Sequence, residues 1–544
     1  MKTTLIILFI TFLFGNSLIS QTHDLEVFRL NIPRNHAKTG MPVQPSVYVH
    51  NVGNSTENEY SIDVVITNSE NEEVFNSTEN VTNANLQSGG YQRPLFSESW
   101  IPEEDGTYSV DVMVFCEGDE NPNNDLLEKD IDSEDLTIGF GWNAFDNIQP
   151  YGPAMIYYNS TDACELQSIT QWGNSDTFMA GADFIGDTWY AVQYSYNNSS
   201  KVFTMDTKTG EPILMCEAGV AFDGMAYDIT TETVFANNSN DIYTLDVETG
   251  VSNLIGTATG AAGFVGLACD ALGNLYGLEG YTGDCGLYSI SKTTGEGTLI
   301  GGTGLTIMTA QDIAYDRNND MLYGTLAGNQ NEGFYKINTN NGSATLIEDY
   351  ANEISGAAIP YIPLLLKQSP QENETEVLAG ANVFAMFHDQ LTVNDLSGIS
   401  ITDDEGNPVQ NIDASIVGSY LHIGHEALEP NTDYTVAIPA NSIKTGDFGN
   451  NEESWTFTTG TWTKVDETEN ISIEIFPNPA NDFIKVISQK EGIYRICSLT
   501  GKEVVSGVIS KSNNTIFVDG LSSGVYFLHI ETLGRLINEK VIVR

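Results

Sequence analysis

Val202-Phe203-Thr204-Met205-Asp206-Thr207-Lys208-Thr209-Gly210 recurs three times further along the chain. It returns as Ile242-Tyr243-Thr244-Leu245-Asp246-Val247-Glu248-Thr249-Gly250, as Leu287-Tyr288-Ser289-Ile290-Ser291-Lys292-Thr293-Thr294-Gly295, and as Phe334-Tyr335-Lys336-Ile337-Asn338-Thr339-Asn340-Asn341-Gly342. The closing glycines are 40, 45 and 47 residues apart. A second element precedes each of the later copies: Gly224-Met225-Ala226-Tyr227-Asp228, Gly266-Leu267-Ala268-Cys269-Asp270 and Asp312-Ile313-Ala314-Tyr315-Asp316. Short apolar runs that alternate with turn residues at this period are the mark of a repeated strand unit rather than of helices.

A repeat of this length fits the four-stranded blade of a β-propeller. The second element would supply the inner strand and its turn, and the Thr-Gly motif would join the two outer strands. Closure is legible too. Ile354-Ser355-Gly356-Ala357-Ala358-Ile359 reads as an inner strand with nothing after it to pair with, while Met155-Ile156-Tyr157-Tyr158 and Leu166-Gln167-Ser168-Ile169 read as outer strands with no inner one before them. Pairing the two ends would complete a ring and leave only short edges. The expectation for residues 139–366 is about five blades, with six as the alternative.

Outward from the repeat the pattern stays all-β and becomes multidomain. A chain of 544 residues exceeds what one core organises. Residues 21–138 read as one sandwich of about seven strands. His50-Asn51-Val52-Gly53, Trp100 before an acidic turn, Gly106 with Tyr108, and Asn121-Pro122-Asn123-Asn124-Asp125 resemble the bacterial cell-adhesion-related Ig-like domain. Trp100 is expected in the core. Residues 367–460 form a second sandwich. Val383-Phe384-Ala385-Met386-Phe387, Leu428-Glu429-Pro430-Asn431-Thr432-Asp433-Tyr434-Thr435-Val436 and Trp455-Thr456-Phe457-Thr458-Thr459-Gly460 resemble the Ig-like domain of bacterial surface-layer proteins. Residues 461–470, polar and acidic, read as a linker.

The tail, 471–544, carries Phe476-Pro477-Asn478-Pro479-Ala480, then Leu499-Thr500-Gly501-Lys502, Ser523-Gly524-Val525-Tyr526-Phe527 and Lys540-Val541-Ile542-Val543-Arg544. Its runs alternate with period two between Gly and Pro-Asn punctuation, as in a small antiparallel sandwich. In order and spacing these segments resemble the type A C-terminal sorting domain of the type IX secretion system. The resemblance implies the type IX machinery as a partner, and Pro477, Asn478, Pro479, Gly501, Gly524, Tyr526 and Lys540 as the sorting signal.

At the other end, Met1-Lys2, the apolar stretch Leu5 to Phe14 and the small polar residues up to Ser20 read as a signal peptide over 1–20, cut between Ser20 and Gln21. No later stretch is apolar over the length of a membrane helix, so the mature chain is expected to be secreted or held on the outer cell surface without a transmembrane segment.

Charge narrows the partners. With 74 acidic residues against 22 basic ones, the formal net charge is -52, which repels phosphate backbones and excludes nucleic acid as a ligand. Six cysteines in a chain this long do not make a disulfide scaffold. Unpaired thiols are expected, with a Cys164–Cys216 bridge as the alternative. None of the seven histidines falls in the propeller span, which excludes a Ser-His-Asp or Cys-His nucleophile or a His-held zinc assembled there. His422 and His425 are spaced by three within an apparent strand, which would point them to opposite faces. Asp316-Arg317-Asn318-Asn319-Asp320 opens like a calcium loop but lacks the later glycine and glutamate, so it reads as a turn. Asp119, Glu120, Asn124 and Asp125 make an oxygen-rich loop expected to face solvent. No cofactor is implied, Ca²⁺ being the one ion the carboxylates would suit.

Together these features describe an exported binding or adhesion protein whose propeller recognises an extracellular glycan or protein, with Tyr190, Tyr196 and Tyr281 as flat contact residues. Two other readings remain: an extracellular hydrolase or lyase acting through carboxylates or a divalent ion in the central channel, and a surface spacer that binds nothing. Asp228, Asp270 and Asp316 recur in every copy and are therefore expected to be structural, so no catalytic residue is assigned.

Overall fold

The structure, a computed structural model, describes residues 22–145, 151–158, 164–172, 178–195, 199–307, 311–327, 333–349, 353–461 and the strand segments of the tail between 474 and 543. Every regular element among the described residues is a strand. The expected signal segment, with Ser20 and Gln21, lies outside them, as do Tyr196, Pro477, Asn478, Pro479 and Gly501.

Five four-stranded antiparallel sheets form the propeller. Four are continuous in sequence, with inner strands Met179–Ile185, Gly224–Asp228, Phe264–Cys269 and Asp312–Asp316. The fifth closes the ring. Its inner strand is Glu353–Ala358, and its other three are Thr137–Phe145, Gly152–Tyr158 and Cys164–Ser168. The inner and two outer strands are those the sequence suggested. The strand between them, Thr137–Phe145, crosses the expected domain boundary at 138/139: Ile138, Phe140, Trp142 and Ala144 are buried towards one side, and Gly139 and Gly141 leave room for Tyr158, Ile156 and Ile354 on the other.

The Thr-Gly motif owes its recurrence to two constraints. Each turn is closed by its own first residue. Asp206 accepts the amides of Lys208 and Thr209, and Asp246 those of Glu248 and Thr249, while Gly250 N–H donates to the Asp246 carbonyl. The last residue must then take a left-handed backbone, with φ of 71°, 75°, 72° and 79° at Gly210, Gly250, Gly295 and Gly342. The turn also lands on the outer strand of the preceding blade: Gly250 on Glu217, Gly295 on Gly256 and Gly342 on Gly301. A Cβ at Gly295 would sit 2.6 Å from the Gly256 carbonyl carbon, a backbone atom that cannot rotate away. Gly295→Ala is therefore expected to cost about 1–3 kcal/mol in backbone strain plus the clash. Calorimetry would show a lower propeller transition, and an unchanged one would refute this account of the repeat.

The first Ig-like sandwich packs Leu25–Ile32, Ser46–Asn51 and Tyr91–Gln92 against a five-stranded sheet ordered His36–Lys38, Leu126–Glu134, Gly106–Phe115, Glu57–Thr67, Glu73–Leu86. Eight strands stand where about seven were expected. Alternation fixes the core: Tyr60, Ile62, Val64 and Ile66 from one strand meet Tyr108, Val110, Val112 and Val114 from its partner. Trp100 is buried and edge-on to Tyr108 at 5.0 Å. The second sandwich pairs a sheet ordered Leu365–Ser369, Val383–Phe387, Tyr420–Gly424, Asp413–Val417 with one ordered Glu374–Val377, Glu453–Thr459, Asp433–Ile438, Ser400–Asp403. His425 falls just past the strand that holds His422 and turns its ring nitrogens to the carbonyls of Glu426 and Ala381, whereas His422 stacks on Tyr420. The pair therefore parts through a strand end as well as through face alternation.

The three bodies are joined by buried polar anchors. Lys38 Nζ donates to Asp135 Oδ1 and to the Leu136 carbonyl, both at 2.6 Å, and stands 3.6 Å from Asp389 of the second sandwich. His388, beside it in sequence, is buried and accepts the Leu364 amide on Nδ1. Burial pushes its pKa down to about 4, so it packs as a neutral ring.

Candidate functional site on the propeller

Inner strands of a ring approach one another most closely at the axis, where only small residues fit. Gly181, Gly224 and Gly266 occupy that place in succession, and a Cβ on Gly181 would lie 2.5 Å from the Gly224 Cα. The next position in the series is Asp312, whose carboxylate fills the axis. Oδ2 accepts the amides of Ala182 at 3.1 Å and Ala357 at 3.0 Å, and Oδ1 accepts that of Ile313 at 2.9 Å. One side chain thus ties three blades. Burial, with Asp183 nearby, pushes the Asp312 carboxyl well above the usual range, against the opposing pull of the three amides.

The end of the axis where the inner strands finish is plugged. Arg317, from the turn after Asp316, grips Asp183 with both terminal nitrogens, at 3.1 and 2.7 Å, and donates to the Tyr227 carbonyl at 2.8 Å. Burial alone would lower the Arg317 pKa, but the Asp183 carboxylate more than offsets it and holds the guanidinium charged. Tyr361, in the segment leading to the second sandwich, lies under that guanidinium at 5.1 Å and accepts the Gly186 amide on its hydroxyl. Asn318 donates to the Tyr361 carbonyl.

The recurring aspartates are turn anchors, as expected. Asp270 accepts from the Leu272 and Asn274 amides, and Asp316 from Asn318, Asn319 and Thr137. For Asp228, burial would raise the carboxyl, but Lys292 at 2.6 Å, Thr231 and Thr230 together hold it well below the usual range. The symmetry-breaking acids are Asp183 and Asp312, both missed from sequence. The signal was an aspartate in a column otherwise filled by glycine for Asp312, and by Ala226, Ala268 and Ala314 for Asp183. Neither offers a carboxylate to solvent chemistry, because each is buried and saturated by partners within the fold.

The loop over residues 280–285 lies at the opposite end, where the inner strands begin. Tyr281 stands there, 70% exposed, its backbone at φ 63° and its amide donating to the Ile307 carbonyl. A bulky residue in the left-handed region is held there against its own preference. Tyr190 is instead in the second strand of the first blade, Thr188–Gln193, and half-buried.

The remaining sequence candidates fall in three places. Asp119 accepts the Leu25 and Asn121 amides, Glu120 that of Thr22, and Asn124 donates to Asp24, so the oxygen-rich loop is tied to the first sandwich, with Glu120 exposed and Asp119, Asn124 and Asp125 half-buried. Burial and the nearby Asp119 and Asp24 push Asp125 up to about 6. Among the described residues, no group of three or more His, Cys, Asp or Glu side chains is placed to hold a metal ion. Cys116, Cys216, Cys269 and Cys285 are free thiols, which removes the Cys164–Cys216 alternative. In the tail, Gly524 and Tyr526 belong to strand Gly524–Thr532 and Lys540 to strand Arg535–Val543. Tyr526 is buried and Lys540 exposed.

Residues 474–544 match the model of the secretion system C-terminal sorting domain. The chain ends in a secretion sorting domain. That sorting domain marks it for type IX export to the cell surface or beyond, through the type IX machinery. Residues 362–459 match a bacterial Ig-like domain. No curated protein matches the chain.

Among solved structures, the chain is similar to the CARDB domain of a Pyrococcus furiosus protein, solved with di-metal ions: 19% identity over 21% of this chain and 96% of that one, TM-score 0.17. It is also similar to a Bacteroides thetaiotaomicron protein of unknown function, at 12% identity over 67% of this chain and 96% of that one, TM-score 0.29. A third is latent dimeric PorU of Porphyromonas gingivalis, at 10% identity over 96% of this chain and 34% of that one, TM-score 0.18. No helix among the described residues is long and apolar enough to cross a membrane.

Proposed function

We propose that this is an exported binding protein, cut from its signal peptide after Ser20, which presents the Tyr281 end of its propeller to an extracellular glycan or protein. The reading is carried by Tyr281, an aromatic side chain held in solvent on a strained backbone. Flat aromatic faces bind sugar rings and protein side chains at little entropic cost. The Arg317–Tyr361 plug and the second sandwich meet the other end, which favours the end that carries Tyr281 as the recognition face. An acidic surface directs the choice towards neutral or cationic ligands.

The full exported chain, probed on glycan and protein arrays, is expected to bind in a saturable way. Tyr281→Ala should weaken that binding about tenfold, a typical effect of truncating an aromatic anchor, while Tyr190→Phe should not. Absence of saturable binding, or equal binding by Tyr281→Ala, would count against the proposal.

A further inference from the structure

A cleft of about 330 Å³ opens where the first sandwich, the fifth blade, the Thr-Gly turn of the first blade and the second sandwich meet. Its floor is thioether and aliphatic, built from Met41, Met155 and Met386 with Leu95, Ile169 and Leu366. Thioether chains adapt to the shape of an apolar guest, and sites between domains of this size suit small molecules. The polar part of the lining is amide and hydroxyl groups together with Lys208 and Lys367.

Among the described residues no aspartate or glutamate lines the cleft, in a chain where acidic residues outnumber basic ones 74 to 22. Two of the scarce cations therefore sit beside an apolar floor with no carboxylate among its described lining residues. Lys208 Nζ is bonded to a neutral acceptor, Gln368 Oε1 at 2.9 Å; burial pulls its pKa below the usual lysine range, opposed by the Glu453, Asp206 and Glu372 carboxylates farther out. Lys367 is exposed at the cleft, its ammonium within reach of an arriving head group.

We propose that this cleft binds a small anionic amphiphile, an aliphatic chain ending in a carboxylate, with the chain on the methionine floor and the head between Lys208 and Lys367. A neutral head would forgo the two ammonium groups, and a cationic head would meet them directly. Because the wall comes from three domains, an occupant would also hold them in register.

The full chain, titrated calorimetrically with hexanoate, octanoate and decanoate, is expected to bind one molecule per chain, more tightly as the chain lengthens. Decanol should bind at least about tenfold more weakly than decanoate, equivalent to ~1.4 kcal/mol, and decyltrimethylammonium should not bind. Lys208→Gln combined with Lys367→Gln should erase the preference for decanoate over decanol. Leu95→Glu, at a half-exposed position that folding tolerates, should abolish decanoate binding. Decanoate binding no tighter than decanol, binding unaffected by these variants, or no binding by any of the probes would overturn the proposal.

Discussion

Replacing Asp312 by alanine is expected to lower the thermal transition of the propeller by roughly 6–12 °C. The carboxylate is the common acceptor of the Ala182, Ile313 and Ala357 amides, from three separate inner strands. Without it, three N–H groups lose their partner at a place where the Asp312 side chain is fully buried. At about 1–3 kcal/mol for each orphaned donor, the loss is ~3 kcal/mol or more, and a domain of this size loses about 2–4 °C per kcal/mol. Asp312→Asn keeps one acceptor oxygen and the volume, and should fall between alanine and the native chain. The pH dependence separates the charge from the contacts. Because the folded-state pKa lies well above the usual range, the native chain keeps a proton that the unfolded chain has released. Stability from this group is full below about pH 4 and falls as pH rises towards the folded pKa, by up to ~1.4 kcal/mol per pH unit. Asp312→Asn should flatten that slope. An unchanged slope in the variant, measured by calorimetry between pH 4 and 8, would mean that the axial acid is ionised and stabilised by its three amides.

The repeat made the ring legible because each copy must satisfy the same two demands, a side-chain acceptor at the head of the turn and a residue without a Cβ at its end. Asp246 and Gly250 meet both, and so do Asp206 and Gly210. What stayed hidden is what the repeat does not repeat. Asp312 aligns with Gly224 and Gly266, and reading the column downwards rather than the row across would have isolated it. Arg317 looked like a turn residue because its backbone is one, and its long side chain reaches Asp183 at a separation of 134 residues that no local pattern encodes. Thr137–Phe145 was silent for a different reason. Its large residues alternate with Gly139, Gly141 and Asn143, but it bridges the last strand of the first sandwich and the fifth blade, so a boundary drawn at 138/139 divided it between two domains.

Removing the last strand of the tail, by ending the chain at Thr532, is expected to stop export while leaving the propeller folded. Arg535–Val543 pairs with Gly524–Thr532 along its whole length, from Gly524 opposite Val543 to Thr532 opposite Arg535. It also supplies Val541 and Val543 to a small core shared with Ile484, Val486, Ile496, Leu528 and Ile530, and Val543 bridges to Ala480 in the other sheet. Burying each valine contributes about 1.5–3 kcal/mol. A domain of some seventy residues has only a few kcal/mol in hand, so losing both valines and an entire edge of hydrogen bonds should unfold it. The propeller core shares no residue with this cluster, so its own transition should stay in place. Cell fractionation should then find the truncated chain retained inside the outer membrane. Lys540→Ala, which removes an exposed side chain and leaves the core intact, separates the folded scaffold from the charge at its end. Export of that variant would assign the signal to the sheet as a whole, and loss of export would assign it to the basic ending. Arrival of the truncated chain at the surface in native amount would break the link between this sandwich and the route out of the cell.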